Sequence, residues 1–159
     1  MSANLAVCYH QTSMDSYFLS DTYLLRGATI GDIDTIRAIC EIKEYKGGEP
    51  IVSEKDKDQD IMIVAGGRAR VETREGDLID ELRAGDMIGE ISFLDGQART
   101  ANVYAIGDAK VVVIPAVKLR ELMKADPRLE CVILRNASLA LCKRLREANQ
   151  QIGSLMVQR

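Results

Sequence analysis

A carboxylate and a guanidinium stand nine residues apart, at Glu90 and Arg99, in a run that also holds Gly89, Ile91, Ser92, Thr100 and Ala101. Arginine presents a planar fork of donors that fits phosphate oxygens. A carboxylate accepts strongly from a hydroxyl group. Gly89 lets backbone approach a ligand closely, and the short helix-capable run after it can offer N-terminal amides to an anion. The residue types are therefore suited to a molecule that carries both a phosphate and a hydroxyl. They are equally suited to an internal ion pair across a tight turn, and the residue types alone leave both open.

Composition removes several other chemistries. The chain has 159 residues, 47% of them apolar and 28% charged, with a net charge of −3. These are the proportions of a folded globular domain with a sizeable core. A mildly acidic chain lacks the basic stripe expected of a nucleic-acid-binding surface. No apolar run reaches the roughly 18 residues of a membrane span, and residues 1–10 do not resemble a secretory leader. A cytoplasmic setting follows, and Cys8, Cys40, Cys131 and Cys142 fit reduced thiols better than disulfides or a zinc site. Cys40 and Cys131 fall on apolar faces and are expected in the core. A single histidine, His10, gives neither a metal cluster nor a hydrolytic constellation, so an enzyme such as a phosphodiesterase is not expected.

The elements that position the pair are visible as changes of period. Residues 1–23 show no sustained periodicity and are expected to form an arm. Residues 24–40 carry Leu25, Ile30, Ile33, Ile36 and Ile39, the spacing of a short amphipathic helix that begins near Thr29 or Gly31-Asp32. Short alternating or apolar runs then follow, separated by turn residues about every ten positions. Gly66-Gly67 reads as a hairpin turn, and Gly107-Asp108 as the break between two further strands. This rhythm predicts an all-β barrel or jelly roll, mainly β with flanking helices, over residues 24–128. Residues 129–159 contain one glycine and no proline and predict a long helix. Its positions Leu134, Ser138, Leu141, Leu145, Ala148, Ile152 and Leu155 form a heptad seam, which predicts self-association.

The run Gly89-Glu90-Ile91-Ser92-Phe93-Leu94-Asp95-Gly96-Gln97-Ala98-Arg99-Thr100-Ala101 resembles the phosphate-binding cassette of cyclic nucleotide-binding domains. The nine-residue step equals that in regulatory subunits of cAMP-dependent protein kinase. Tyr45-Lys46-Gly47-Gly48-Glu49-Pro50-Ile51 is similar to an early element of that family. The same holds for the stretch from Ile63 to Val71 and for Leu82-Arg83-Ala84-Gly85-Asp86, which leads into the cassette. Together the likeness covers about residues 25–150.

The resemblance implies a double-stranded β-helix barrel with an N-terminal helix and a long C-terminal helix. It also implies roles for single residues. Arg99 would pair with the exocyclic phosphate oxygens, and Glu90 would accept from the ribose 2′-OH. Amides near Gly89, Ile91, Ser92 and Ala101 would cap the phosphate. Thr100 could touch the phosphate or a guanine amino group, so cAMP is favoured with cGMP as the alternative. The stretch from Lys143 to Leu155 resembles the dimer helix of bacterial catabolite activators, which makes Asn149 a candidate base contact, although Ala148 departs from that pattern. The expected partners are a cyclic nucleotide, a second copy through the last helix, and a downstream protein that the sequence does not name. The DNA-binding domain of those activators is not expected here, because the chain stops at Arg159. An assembly module that keeps the fold without binding nucleotide is the remaining alternative.

Overall fold

The computed structural model describes residues 18–157, so His10, Cys8 and most of the expected N-terminal arm lie outside the described residues. A 3-10 turn at Tyr23–Leu25 precedes helix α1, Ile30–Ile39. Thr29 starts that helix. Its hydroxyl accepts from the Asp32 amide, and the Asp32 carboxylate accepts from the Thr29 amide, a reciprocal capping box. The expected helix over 24–40 is thus two elements. Ile36 is buried, whereas Ile30, the first helical residue, is exposed.

Six antiparallel strands follow: β1 Glu41–Tyr45, β2 Pro50–Val52, β3 Ile61–Glu72, β4 Leu78–Arg83, β5 Met87–Ile88 and β6 Asn102–Ile114. The main order is β1-β6-β3-β4, with β2 on β6 and β5 on β3. The helix α2, Glu90–Asp95, lies between β5 and β6, and α3, Ala116–Ala125, and α4, Pro127–Val157, close the chain.

Period explains which strand faces are covered. Ile61 and Ile63 pack with the helices, while Met62 and Val64 point into the barrel interior. Val112 and Ile114 on β6 likewise meet helices, and Val111 and Val113 fill the barrel. Strands buried on both faces give unbroken apolar runs, as in Ile61-Met62-Ile63-Val64. Past Gly67 the same strand has one covered face, and Arg68, Ala69, Arg70 and Val71 alternate accordingly.

Two expected turns are not turns. β3 runs straight through Gly66-Gly67, and β6 runs through Gly107-Asp108. The β3–β6 register shifts between Val64 and Gly66 and again between Gly66 and Arg68. The glycines therefore serve a bulge that bends a long two-stranded ribbon, not a reversal of direction. At Gly67 the backbone has φ +74°, and a Cβ there would overlap the Asp108 carbonyl oxygen.

The junction of α3 and α4 is a sharp stop and restart. Pro127 occupies the first position of α4, where its missing N–H costs nothing. Asp126 Oδ1 accepts from the amides of Arg128 and Leu129. The Arg128 guanidinium reaches both Asp32 oxygens, at 2.8 and 2.7 Å, and holds that carboxyl below its ordinary pKa. On the core face of α4, Leu129, Ile133 and Ala137 are buried. Buried beside them is Asn136, whose amide donates to the carbonyls of Leu24 and Arg26 at 2.8 and 2.9 Å. Those two bonds tie the 3-10 turn at Tyr23–Leu25 to the last helix, worth about 1 kcal/mol each. Cys131 is exposed, contrary to the core position expected for it, because it faces away from the Leu129–Ile133 side of the helix. Cys40 is half-buried, and its thiol donates to the Ile36 carbonyl at 3.2 Å.

Candidate functional site

The cassette is positioned by β5 on one side and β6 on the other. Met87 and Ile88 pair with Ile63 and Met62, which anchors the chain on the barrel wall. Gly89 then takes φ +91° and starts α2 from a left-handed conformation. A Cβ at Gly89 would overlap Arg99 Nη1 and stand 2.5 Å from the Asp60 carbonyl oxygen, so only glycine lets the arginine lie where it does. Ser92 Oγ donates to the Ala98 carbonyl at 3.3 Å and holds the loop closed before Arg99. Arg120, on α3, donates to the Phe93 carbonyl at 2.9 Å and stacks its guanidinium 5.0 Å from the Phe93 ring. That contact fastens α2 to the closing helices.

Glu90 and Arg99 do not pair with each other. Glu90 is 1% exposed and Arg99 5% exposed, a burial that charged groups tolerate only with partners. Arg99 Nη2 donates to Asp58 Oδ1 and to the Asp60 carbonyl, the latter at 2.9 Å. Glu90 Oε1 accepts from Arg144 Nη1, a residue of α4, while Arg144 Nη2 donates to the Met87 carbonyl. Three atoms remain buried and without a partner among the described residues: Glu90 Oε2, Arg99 Nε and Arg99 Nη1. Arg99 thus holds unmet donors and Glu90 an unmet acceptor, both on residues that line one cleft, which suits a phosphate oxygen and a hydroxyl. The internal ion-pair alternative for Glu90 and Arg99 is accordingly not what the chain adopts.

The cleft holds a cavity of about 60 Å³ that opens to solvent. Seven of the eight residues expected from sequence line it: Gly89, Glu90, Ile91, Ser92, Arg99, Thr100 and Ala101. The eighth, Asn149, is exposed on α4 and stands outside the cleft. The cleft also has an apolar side that the cassette does not supply, made by Val52, Val71, Leu82, Ile88 and Val103. Such a wall suits the face of a flat heterocycle. Sequence reasoning missed Arg144, Asp58 and Asp60. Arg144 looked like one of several charges on a helix surface, and the two aspartates lay in a charged loop with no period. Among the described residues, no group of three His, Cys, Asp or Glu side chains is placed to hold a metal ion. No helix among them is long and apolar enough to cross a membrane.

The chain is 27% identical over 150 residues to Glutaminase 1 of Bradyrhizobium diazoefficiens, covering 94% of this chain and 24% of that protein. It is 26% identical over 136 residues to the Cyclic AMP receptor protein of Thermus thermophilus, covering 83% of this chain and 61% of that one. It thus spans about a quarter of the first relative and under two thirds of the second. The solved regulatory domain of Toxoplasma gondii PKA with cAMP shares the fold, with a TM-score of 0.72 at 23% identity over 89% of this chain and 52% of that one. The family model described as Cyclic nucleotide-binding domain matches residues 42–126, from the second residue of β1 through the cassette to the end of α3. With more than half its length under that match and the cassette folded around a shared cleft, this chain belongs to the cyclic nucleotide-binding domain family.

Proposed function

We propose that the chain is a sensor of a cyclic nucleotide, cAMP in preference to cGMP, and that occupancy of the cleft is passed to α4. The observation that carries this is that Glu90 and Arg99, which hold the buried, unpartnered side-chain atoms, both line one cleft. A cyclic phosphate oxygen would take a free Arg99 donor, Nε or Nη1, and a ribose 2′-OH would donate to Glu90 Oε2. The similar Thermus thermophilus protein is a cyclic AMP receptor and the similar Toxoplasma gondii domain was solved with cAMP, which supports the choice of base. Thr100 lines the same cleft and is the residue that keeps cGMP as the second reading.

The route to α4 begins at Arg144. It touches the other oxygen of the carboxylate that would hold the ribose. A ligand shifts the helix only by binding one of its positions better than the other, and a contact shared with Glu90 provides that difference. Titration calorimetry with cAMP and cGMP tests the reading, with Arg99→Ala alongside. Losing a charge-assisted phosphate contact costs about 1.5–3 kcal/mol, so affinity should fall at least tenfold. Binding of neither nucleotide at millimolar concentration would sink the proposal.

The same reading includes a homodimer. Leu145, Ile152 and Leu155 of the heptad seam are well over half exposed. In a parallel two-helix seam, positions flanking the apolar stripe face the partner's flanking positions. Arg144 and Asn149 are such positions, so the partner's helix would bring its own Asn149 beside the cleft. Sedimentation of Leu145→Glu is expected to show a monomer where the unmodified chain is a dimer. A dimer that survives the substitution would remove the seam from the account.

A further inference from the structure

The segment between β2 and β3 contributes nothing to the lining of the cleft, yet it meets the cleft's arginine and a closing helix at a single residue. The Asp60 carbonyl accepts from Arg99 Nη2 at 2.9 Å. The Asp60 side chain, through Oδ1, accepts from the Ala116 amide at 2.8 Å. Ala116 is the first residue of α3, and its own helix offers that amide no partner. Asp60 also stands one step before β3, whose first rung pairs Ile61 with Ile114. Asp60 and Ala116 therefore flank the same rung, and the carboxylate spans the short gap between them.

We infer that Asp60 is a positioning residue that relays engagement of Arg99 to the N-terminus of α3. The inference rests on the proposed nucleotide reading and extends it to a second route, separate from Arg144. The physical basis is the rigidity of the guanidinium. Its three nitrogens lie in one plane, so a phosphate oxygen that captures one of the free donors, Nε or Nη1, fixes where Nη2 can point. Nη2 is shared between Asp58 and the Asp60 carbonyl, and re-aiming it alters the hold on Asp60. Reorientation of that peptide moves the carboxylate that caps α3. From α3 the change reaches α4 across Asp126 and Pro127. Asp58 Oδ1 takes Arg99 Nη2 and also accepts from the Asp60 amide at 3.3 Å, so it braces the Asp60 peptide, whereas the contact with α3 is made by the Asp60 carboxylate.

Residue-resolved amide exchange and chemical shifts, with and without saturating cAMP, test this. In the unmodified chain the Ala116 amide should shift, and exchange over residues 116–119 should change about threefold or more on saturation. Asp60→Asn keeps an acceptor at the same place and should retain that response. Asp60→Ala should bind cAMP yet lose at least half of the response in α3. Asp58→Ala should alter cAMP affinity and, with the Asp60 carboxylate still on the Ala116 amide, should lose less of the α3 response than Asp60→Ala. A wild-type Ala116 amide that does not move on saturation overturns the relay, whether or not Asp60→Ala folds. So does an Asp60→Ala response equal to that of the unmodified chain. Absence of any cAMP heat in calorimetry would instead overturn the nucleotide reading, which keeps the two failures apart.

Discussion

Gly89→Ala is expected to cut cyclic nucleotide affinity by more than tenfold while leaving a folded protein. Two penalties act together. Alanine at φ +91° costs about 1–2 kcal/mol in backbone strain. Its Cβ would also overlap Arg99 Nη1 and press on the Asp60 carbonyl oxygen. The arginine is the softer of the two neighbours, so it moves, and the fork that would meet a phosphate is re-aimed. A tenfold loss corresponds to 1.4 kcal/mol, within what one misplaced charge-assisted contact removes. Calorimetry with cAMP measures the affinity, and thermal denaturation in parallel shows that the fold persists. Unchanged affinity in Gly89→Ala would mean that Arg99 does not bind from its present position.

Gly67→Ala should do the reverse and damage the fold before the site. Its Cβ would overlap the Asp108 carbonyl oxygen and come within 2.9 Å of Ala109 Cα, both of them backbone. No side chain can swing aside to relieve that contact. Strain at φ +74° adds to the overlap, and together they are expected to cost about 3 kcal/mol. For a domain of this size that lowers Tm by roughly 6–12 °C. Gly66→Ala is the control. Gly66 lacks a positive φ, and its nearest neighbour would be the Lys110 Cβ at 3.9 Å, an ordinary contact. Its Tm should change by less than about 3 °C. Equal losses in the two variants would argue against the bulge as the cause.

These two glycines also show what the sequence could carry and what it could not. Gly66-Gly67 announces positive φ, but a hairpin and a bulge both require it, and only the partner strand decides between them. That partner, β6, is about forty residues further along the chain. The cassette was legible because its residues are contiguous and its chemistry is local. Arg144 was not, because a helix surface charge gains meaning only when the helix is laid against Glu90. Asn136 carried a weak signal: a polar residue on the Leu129, Ile133, Ala137 face of a helix is out of place unless it has partners there. The start of α1 was legible only as Thr29 or Gly31-Asp32, although the capping box that decides for Thr29 lies within one turn. Asp58 and Asp60 were invisible because their contacts are 41 and 39 residues away for Arg99 and 56 away for Ala116.

The way α4 is pinned gives it mechanical gain. At 31 residues it is ~46 Å long. Its base is clamped by Asp126 and by the Arg128–Asp32 pair, which makes Pro127 a fulcrum. Arg144 grips the cleft ~26 Å out from that fulcrum, and the helix continues ~20 Å further to Val157. A displacement of ~1 Å where Arg144 meets Glu90 therefore becomes ~1.8 Å at the far end, if the rod stays straight. Leu145, Ile152 and Leu155 of the seam lie on this outer arm, where the travel is greatest. A ligand the size of one nucleotide would thus act with the shorter arm of a lever, and whatever grips the seam would feel the longer one.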